Sequence, residues 1–137
     1  MSLIETYDIR EGGFHRVVVK DSWQAGTLTY CPEYDIEHFK LMVKTQHSDR
    51  AFSLLTGSAV LIIHDQAKNK IRTITMERGD SYNVSHNVWH AILMGKASQI
   101  FIVESPDAHL EEMAFRLTEE QVSSIRKKLS QKFNPSE

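Results

Sequence analysis

The chain has 137 residues, a length for one domain that buries about two-thirds of its unfolded surface, and 41% apolar with 25% charged residues is the usual balance of a folded protein. Its formal net charge of -2, with no basic cluster, argues against a nucleic-acid partner, since phosphate recognition needs concentrated positive charge. The longest apolar runs, such as Ala59 to Ile63, are too short to cross a bilayer, no secretion signal is seen, and the single Cys31 excludes an intrachain disulfide, so a cytoplasmic domain without membrane contact is expected.

Residues 1–13 show no periodicity and are read as an N-terminal segment. His15 to Lys20 carries Val17-Val18-Val19, whose branched side chains suit a pleated backbone, and Asp21-Ser22 breaks it. Gly26 to Tyr30 continues as a strand until Pro32, with Cys31 read as packing at its end. His38 to Thr45 alternates with period two, which predicts Phe39, Leu41, Val43 and Thr45 facing inward and His38, Lys40 and Lys44 facing out. Phe52 to Leu55 and Ser58 to His64 flank a Thr56-Gly57 turn, and Lys70 to Met76, Ser81 to Val84, Trp89 to Met94 and Gln99 to Glu104 complete the series. Many short strands with turn residues between them predict an all-β sandwich or barrel over residues 14–114. A short C-terminal α-helix is expected over 115–133: Thr118 and Gln121 form a capping box, and Val122, Ile125 and Leu129 recur at near-helical spacing. The tail 134–137 is expected to fray.

The stretch from Gly79 to Met94 resembles the second signature motif of the cupins, small metal-binding β-barrels. Gly79 and His90 fall on the family's Gly and His, while Ser85, Asn87 and Met94 replace its Pro, Gly and Asn. Gly57 matches the last Gly of the first motif, but Arg50 stands at the Glu position, with Thr45 and Val43 at the two His positions; a shorter spacing offers only Gln46 and Lys44. A closing Ile102-Val103-Glu104 strand strengthens the likeness to small single-domain bacterial cupins. The resemblance implies a double-stranded β-helix, the cupin or jelly-roll barrel, with a degenerate metal motif. Such sites need three or four protein ligands, and only His90 remains, so no cofactor is predicted. The alternative is a divalent metal on His90 with His47 or His86 recruited beside it. His15 and His38 fall on outer or edge strands, His64 begins a turn, and His109 lies in a polar linker, where solvation is the plain reading.

At the same family positions the resemblance implies an interior ligand pocket. Phe39, Leu41, Val43 and Phe52 would form apolar walls, with Thr45, Arg50, His90 and His47 as polar groups. The plainer reading of His90 is a buried histidine bonded to a backbone carbonyl. Arg50 pointing into an apolar interior needs an anion: an internal carboxylate such as Glu104 or Asp49, or the carboxylate or phosphate of a ligand. Three functions follow. One is a metal-free, cupin-type protein that binds a small molecule containing a sugar or a carboxylate. Another is a cofactor-free sugar isomerase or epimerase, since Gly79, Tyr82 and Val88-Trp89-His90 resemble the sugar-nucleotide ketoisomerases, with His90 and Tyr82 as its catalytic pair. The last is a structural protein with a filled barrel. Whether the chain is an enzyme is left open. A homodimer is expected, with Val17-Val18-Val19 and Trp23 as interface material.

Overall fold

The computed structural model describes residues 3–130. Its strands and helices in chain order are β1 (Gly13–Val19), β2 (Gln24–Thr29), β3 (Leu41–Thr45), β4 (Arg50–Thr56), β5 (Ala59–Asp65), β6 (Lys70–Thr75), β7 (Ser81–Val84), β8 (His90–Met94), β9 (Gln99–Glu104), α1 (Ala108–Glu111), β10 (Glu112–Arg116) and α2 (Glu119–Leu129). Two 3-10 turns, Pro32–Tyr34 and Ile36–His38, join β2 to β3. The strands form two antiparallel five-stranded sheets, ordered β1-β2-β9-β4-β7 and β10-β3-β8-β5-β6.

Two apolar layers hold these elements. Phe52 and Leu54 of β4 and Ile100 and Ile102 of β9 meet Ala59, Leu61 and Met94 of the facing sheet in a core between the sheets. On the far side of the second sheet, Met42, Val60, Ile62 and Leu93 pack with Val122, Ile125 and Leu129 of α2. Strand β5 therefore buries both faces, and so Ala59 to Ile63 reads as an unbroken apolar run instead of an alternating one. Burying each of Ile125 and Leu129 contributes about 1.5–3 kcal/mol.

The closed double-stranded β-helix, or jelly-roll barrel, expected from the sequence is not what forms. Each sheet keeps two free edges, β1 and β7 in one and β10 and β6 in the other, and no ladder joins the sheets among the described residues. Closure needs hydrogen-bonded pairing between edge strands of the two sheets. Here side-chain packing, with the pairing of Arg50 on β4 and Glu112 on β10, holds them face to face. The second sheet is thin at its middle, where β3 and β8 share the single registered pair Val43 and His90.

Other differences are local. The strand read from His38 begins only at Leu41, because the preceding turn is fixed by Asp35: its Oδ1 accepts the Glu37 N–H at 3.0 Å and its N–H donates to Pro32 O at 3.0 Å. Strand β10, absent from the sequence-based series, pairs with β3 from Glu112↔Thr45 to Arg116↔Leu41, so Phe115 and Arg116 are strand, not helix. The helix starts behind a formed capping box, with Gln121 N donating to Thr118 Oγ1 at 3.1 Å and Thr118 N to Gln121 Oε1 at 2.9 Å. The expected end of the helix at 133 and the tail 134–137 lie outside the described residues. Among the described residues no helix is long and apolar enough to cross a membrane.

Candidate functional site

A cleft of about 940 Å³ opens between the two sheets beside the thin β3–β8 junction. Leu28, Phe52 and Ile102 line it from one sheet, Leu41, Val43, Ile92 and Ala114 from the other, and Tyr34, His38 and Phe39 from the turns before β3. Leu41 and Val43 face the cleft while Met42 between them is fully buried toward α2, which is the period-two geometry of a strand.

The floor is polar and mutually satisfied. Arg50 Nε donates to Glu104 Oε1 at 3.0 Å, Nη2 to Glu112 Oε2 at 2.5 Å, and Nη1 approaches His90 Nε2 at 3.4 Å. Gln24 Nε2 donates to the other oxygen of Glu104 at 2.7 Å. The Arg50 and Glu104 side chains are only 11% and 10% exposed, which makes this a buried ion pair rather than a surface one.

His90 sits at the start of β8 because of the turn before it. Asn87, in place of the family's Gly, has φ of 63° and donates its N–H to Thr45 O at 2.7 Å. Asn tolerates this left-handed conformation better than most residues, so it serves the turn as Gly would. The His90 Nδ1 lies 2.9 Å from Val88 O and so carries the proton, leaving Nε2 as the acceptor for Arg50. Burial, followed by the nearby Arg50 charge, pushes the His90 pKa down, against the opposing pull of the Val88 bond and of Glu112. The imidazole is therefore neutral at physiological pH. Burial also pushes the Tyr34 phenol up to about 12, with Glu33, Cys31 and Glu112 adding to it and Arg50 opposing.

Of the residues singled out in the sequence, Phe39, Leu41, Val43, Arg50, Phe52 and His90 converge on the cleft. Thr45 does not line it; its hydroxyl is turned to Ser48 O at 2.5 Å. His47 is exposed, its N–H held by Glu111 Oε1 at 3.3 Å. His86 pairs with Asp49 at 3.3 Å on the surface and makes no bond to His90. Tyr82 lies opposite Phe52 across the β4–β7 pairing, and its hydroxyl accepts the Glu77 N–H at 2.9 Å instead of reaching His90. Glu112 and Tyr34 escaped the sequence reading, as did His109 as a cleft residue. For Tyr34 a signal existed: the Pro32-Glu33-Tyr34-Asp35 stretch carries turn chemistry next to an apolar strand.

The donor set does not fit a metal ion. Among the described residues no group of three His, Cys, Asp or Glu side chains is placed to hold one. In the cleft, His90, Glu104 and Glu112 each face a different nitrogen of the Arg50 guanidinium, a fixed cation that repels another.

No family model matches the chain, and no curated protein matches it. Solved structures do. A cupin-2 domain-containing protein from Shewanella frigidimarina, 14% identical, matches with a TM-score of 0.52 over 72% of this chain and 84% of its own. A variant of Streptomyces PAC13 solved with uridine, 13% identical, matches with a TM-score of 0.56 over 86% and 97% of the two chains. A mutant of Bacillus subtilis oxalate decarboxylase, 15% identical, reaches 0.53 over 97% of this chain but only 38% of its own. At these identities the likeness is one of fold alone, shared with a structure described as a cupin-2 domain.

Proposed function

We propose that this chain is a cupin-type small-molecule binding protein whose cleft takes a neutral, hydroxyl-bearing ligand of the sugar or nucleoside kind. The observation that carries the reading is an open cleft of about 940 Å³ with apolar walls and a polar floor at one end, the usual make-up of a ligand site. The state of Arg50 then separates the two ligand chemistries expected from the sequence. Its charge is already met by Glu104 and Glu112, and one guanidinium against two carboxylates with a neutral His90 leaves the floor net negative. A carboxylate ligand would meet that field unfavourably, whereas a hydroxyl group meets it without charge. The uridine in the similarly folded PAC13 variant supplies a first probe. The isomerase reading loses its acid–base pair, since neither Tyr82 nor His47 bonds to His90. Association through the β1 edge, where Val19 and Trp23 are exposed, belongs to the same proposal; a monomer mass in light scattering would remove it.

Isothermal titration of the protein with uridine, D-glucose and D-gluconate tests the ligand class. Binding of a neutral probe, weakened by Leu41→Trp at the exposed side of the cleft, is the expected result. Gluconate binding in preference to both neutral probes, or no binding by any probe, would overturn it.

A further inference from the structure

Most polar groups at the floor are already partnered within the protein. Both nitrogens of His90 are engaged, both oxygens of Glu104 are engaged, and Arg50 commits one N–H from each of its three nitrogens. Within this cluster the second oxygen of Glu112 and the remaining guanidinium N–H groups keep capacity, and the hydroxyl of Tyr34 adds a donor to a cleft that Glu33, Glu37, His38, Lys40 and His109 also line. Tyr34 stands apart from the other tyrosines in this respect. Tyr7 donates to Glu5, Tyr30 donates to Asp35 at 2.8 Å, and Tyr82 accepts from Glu77, but the Tyr34 hydroxyl bonds to no described residue. Its ring packs against the core between the sheets, so the side chain is held and not free to swing. The hydroxyl, bonded to no described residue, is free to donate to a group in the cleft that Tyr34 lines.

Resting on the reading of the cleft as a site for hydroxyl-bearing ligands, we infer that Tyr34 is its specificity residue, reading one hydroxyl of a vicinal diol while Glu112 accepts from the other. The leftover groups select that chemistry. A hydroxyl both accepts and donates, so a diol satisfies the Tyr34 donor and the Glu112 acceptor together. A carboxylate would accept from Tyr34 but face Glu112 with like charge. An ammonium would suit Glu112 but leave the Tyr34 and Arg50 donors without an acceptor. A ketone or ether accepts and has nothing to give. Tyr34 and Glu112 come from separate elements, the first 3-10 turn and β10, and both line this one cleft.

The test is calorimetric titration of uridine and 2′-deoxyuridine into the wild type and Tyr34→Phe, which keeps the ring in the core and removes only the oxygen. The wild type should prefer uridine by about 5–10-fold, the worth of one hydrogen bond. Tyr34→Phe should bind uridine about 5–10-fold more weakly, bind 2′-deoxyuridine unchanged, and so lose the preference. Circular dichroism should show the fold retained. Equal affinity of the wild type for both nucleosides overturns the diol, and an undiminished preference in Tyr34→Phe overturns the role of Tyr34; in both cases the binding cleft itself stands. Failure of the wild type to bind either nucleoside, with D-glucose also silent, overturns the binding function and this inference with it.

Discussion

Arg50 is tolerated in the interior because every one of its nitrogens faces an acceptor. Removing it strands Glu104, whose side chain is 10% exposed, beside a second carboxylate. Arg50→Met should therefore lower stability by about 3–5 kcal/mol, measured as the urea midpoint, and adding Glu104→Gln should restore part of the loss. A rise or no change in stability would mean that the pair is solvated. At His90 the sign of the pH effect follows from its lowered pKa. Above about 6.5 both folded and unfolded states hold it neutral. Below that value the unfolded chain takes up a proton that the folded chain resists, so stability falls with pH until the folded-state pKa is passed. Asp35, Asp49 and Glu111 are also lowered, by hydrogen bonds that favour their carboxylates, but their losses belong to the lower range of carboxylates. The midpoint should thus drop between pH 7 and pH 5 in the wild type and flatten over that interval in His90→Gln; equal slopes would assign the effect elsewhere. The sequence exposed half of this cluster. A lone arginine at an inward position announces a need for an anion and nominates Glu104 or Asp49, of which Glu104 at the end of β9 takes the place and Asp49 pairs with His86. It does not reveal Glu112, because that residue's place depends on β10 pairing with β3 across more than 60 residues of chain.

The elements divide by where their instructions lie. Helix α2 is written locally, in the Thr118 and Gln121 cap and in the spacing of Val122, Ile125 and Leu129, and it forms where those residues stand. Ile125→Ala should cost about 2–5 kcal/mol because it empties a packed layer against the second sheet, whereas Thr118→Ala should cost about 1 kcal/mol because only a cap is lost. Thermal denaturation of the two variants checks the order, and a larger loss at Thr118 would contradict it. The branched runs of β1, β5 and β9 are equally legible. Strand β10 is not, since Glu-Met-Ala-Phe-Arg carries no strong strand preference and takes its extended form from the β3 edge. Gly57 shows a third kind of instruction. It matches the family motif and has φ of 77°, and a side chain there would come within 2.7 Å of Ser98 Cα. Ser98 Oγ accepts the Ser58 N–H at 2.9 Å and donates to Ser58 O at 2.6 Å, so the glycine is what lets these two turns interlock.

At the scale of the molecule, the alternation read between His38 and Thr45 brought Phe39, Leu41 and Val43 to the cleft but misplaced Thr45, His38 and Lys40, and it said nothing of whether the sheets would close. Closure depends on how edge strands meet in space, and no local pattern encodes that. What forms instead is a sandwich that is packed along the β5 and β9 side and open beside β3, and the opening is where the six converging residues meet. Arg126 of α2 donates through Nε to Ile36 O at 2.9 Å and through Nη2 to Glu37 O at 2.6 Å, fastening the helix to the second 3-10 turn on the rim of the cleft. Through these two bonds the rim and the helix are expected to open together. A molecule resting against the rim should slow amide exchange in α2, a helix that lies on the opposite face of the sheet, and Arg126→Gln should uncouple the two. Hydrogen exchange with and without uridine would read it directly: the far end of the chain would register what the cleft contains.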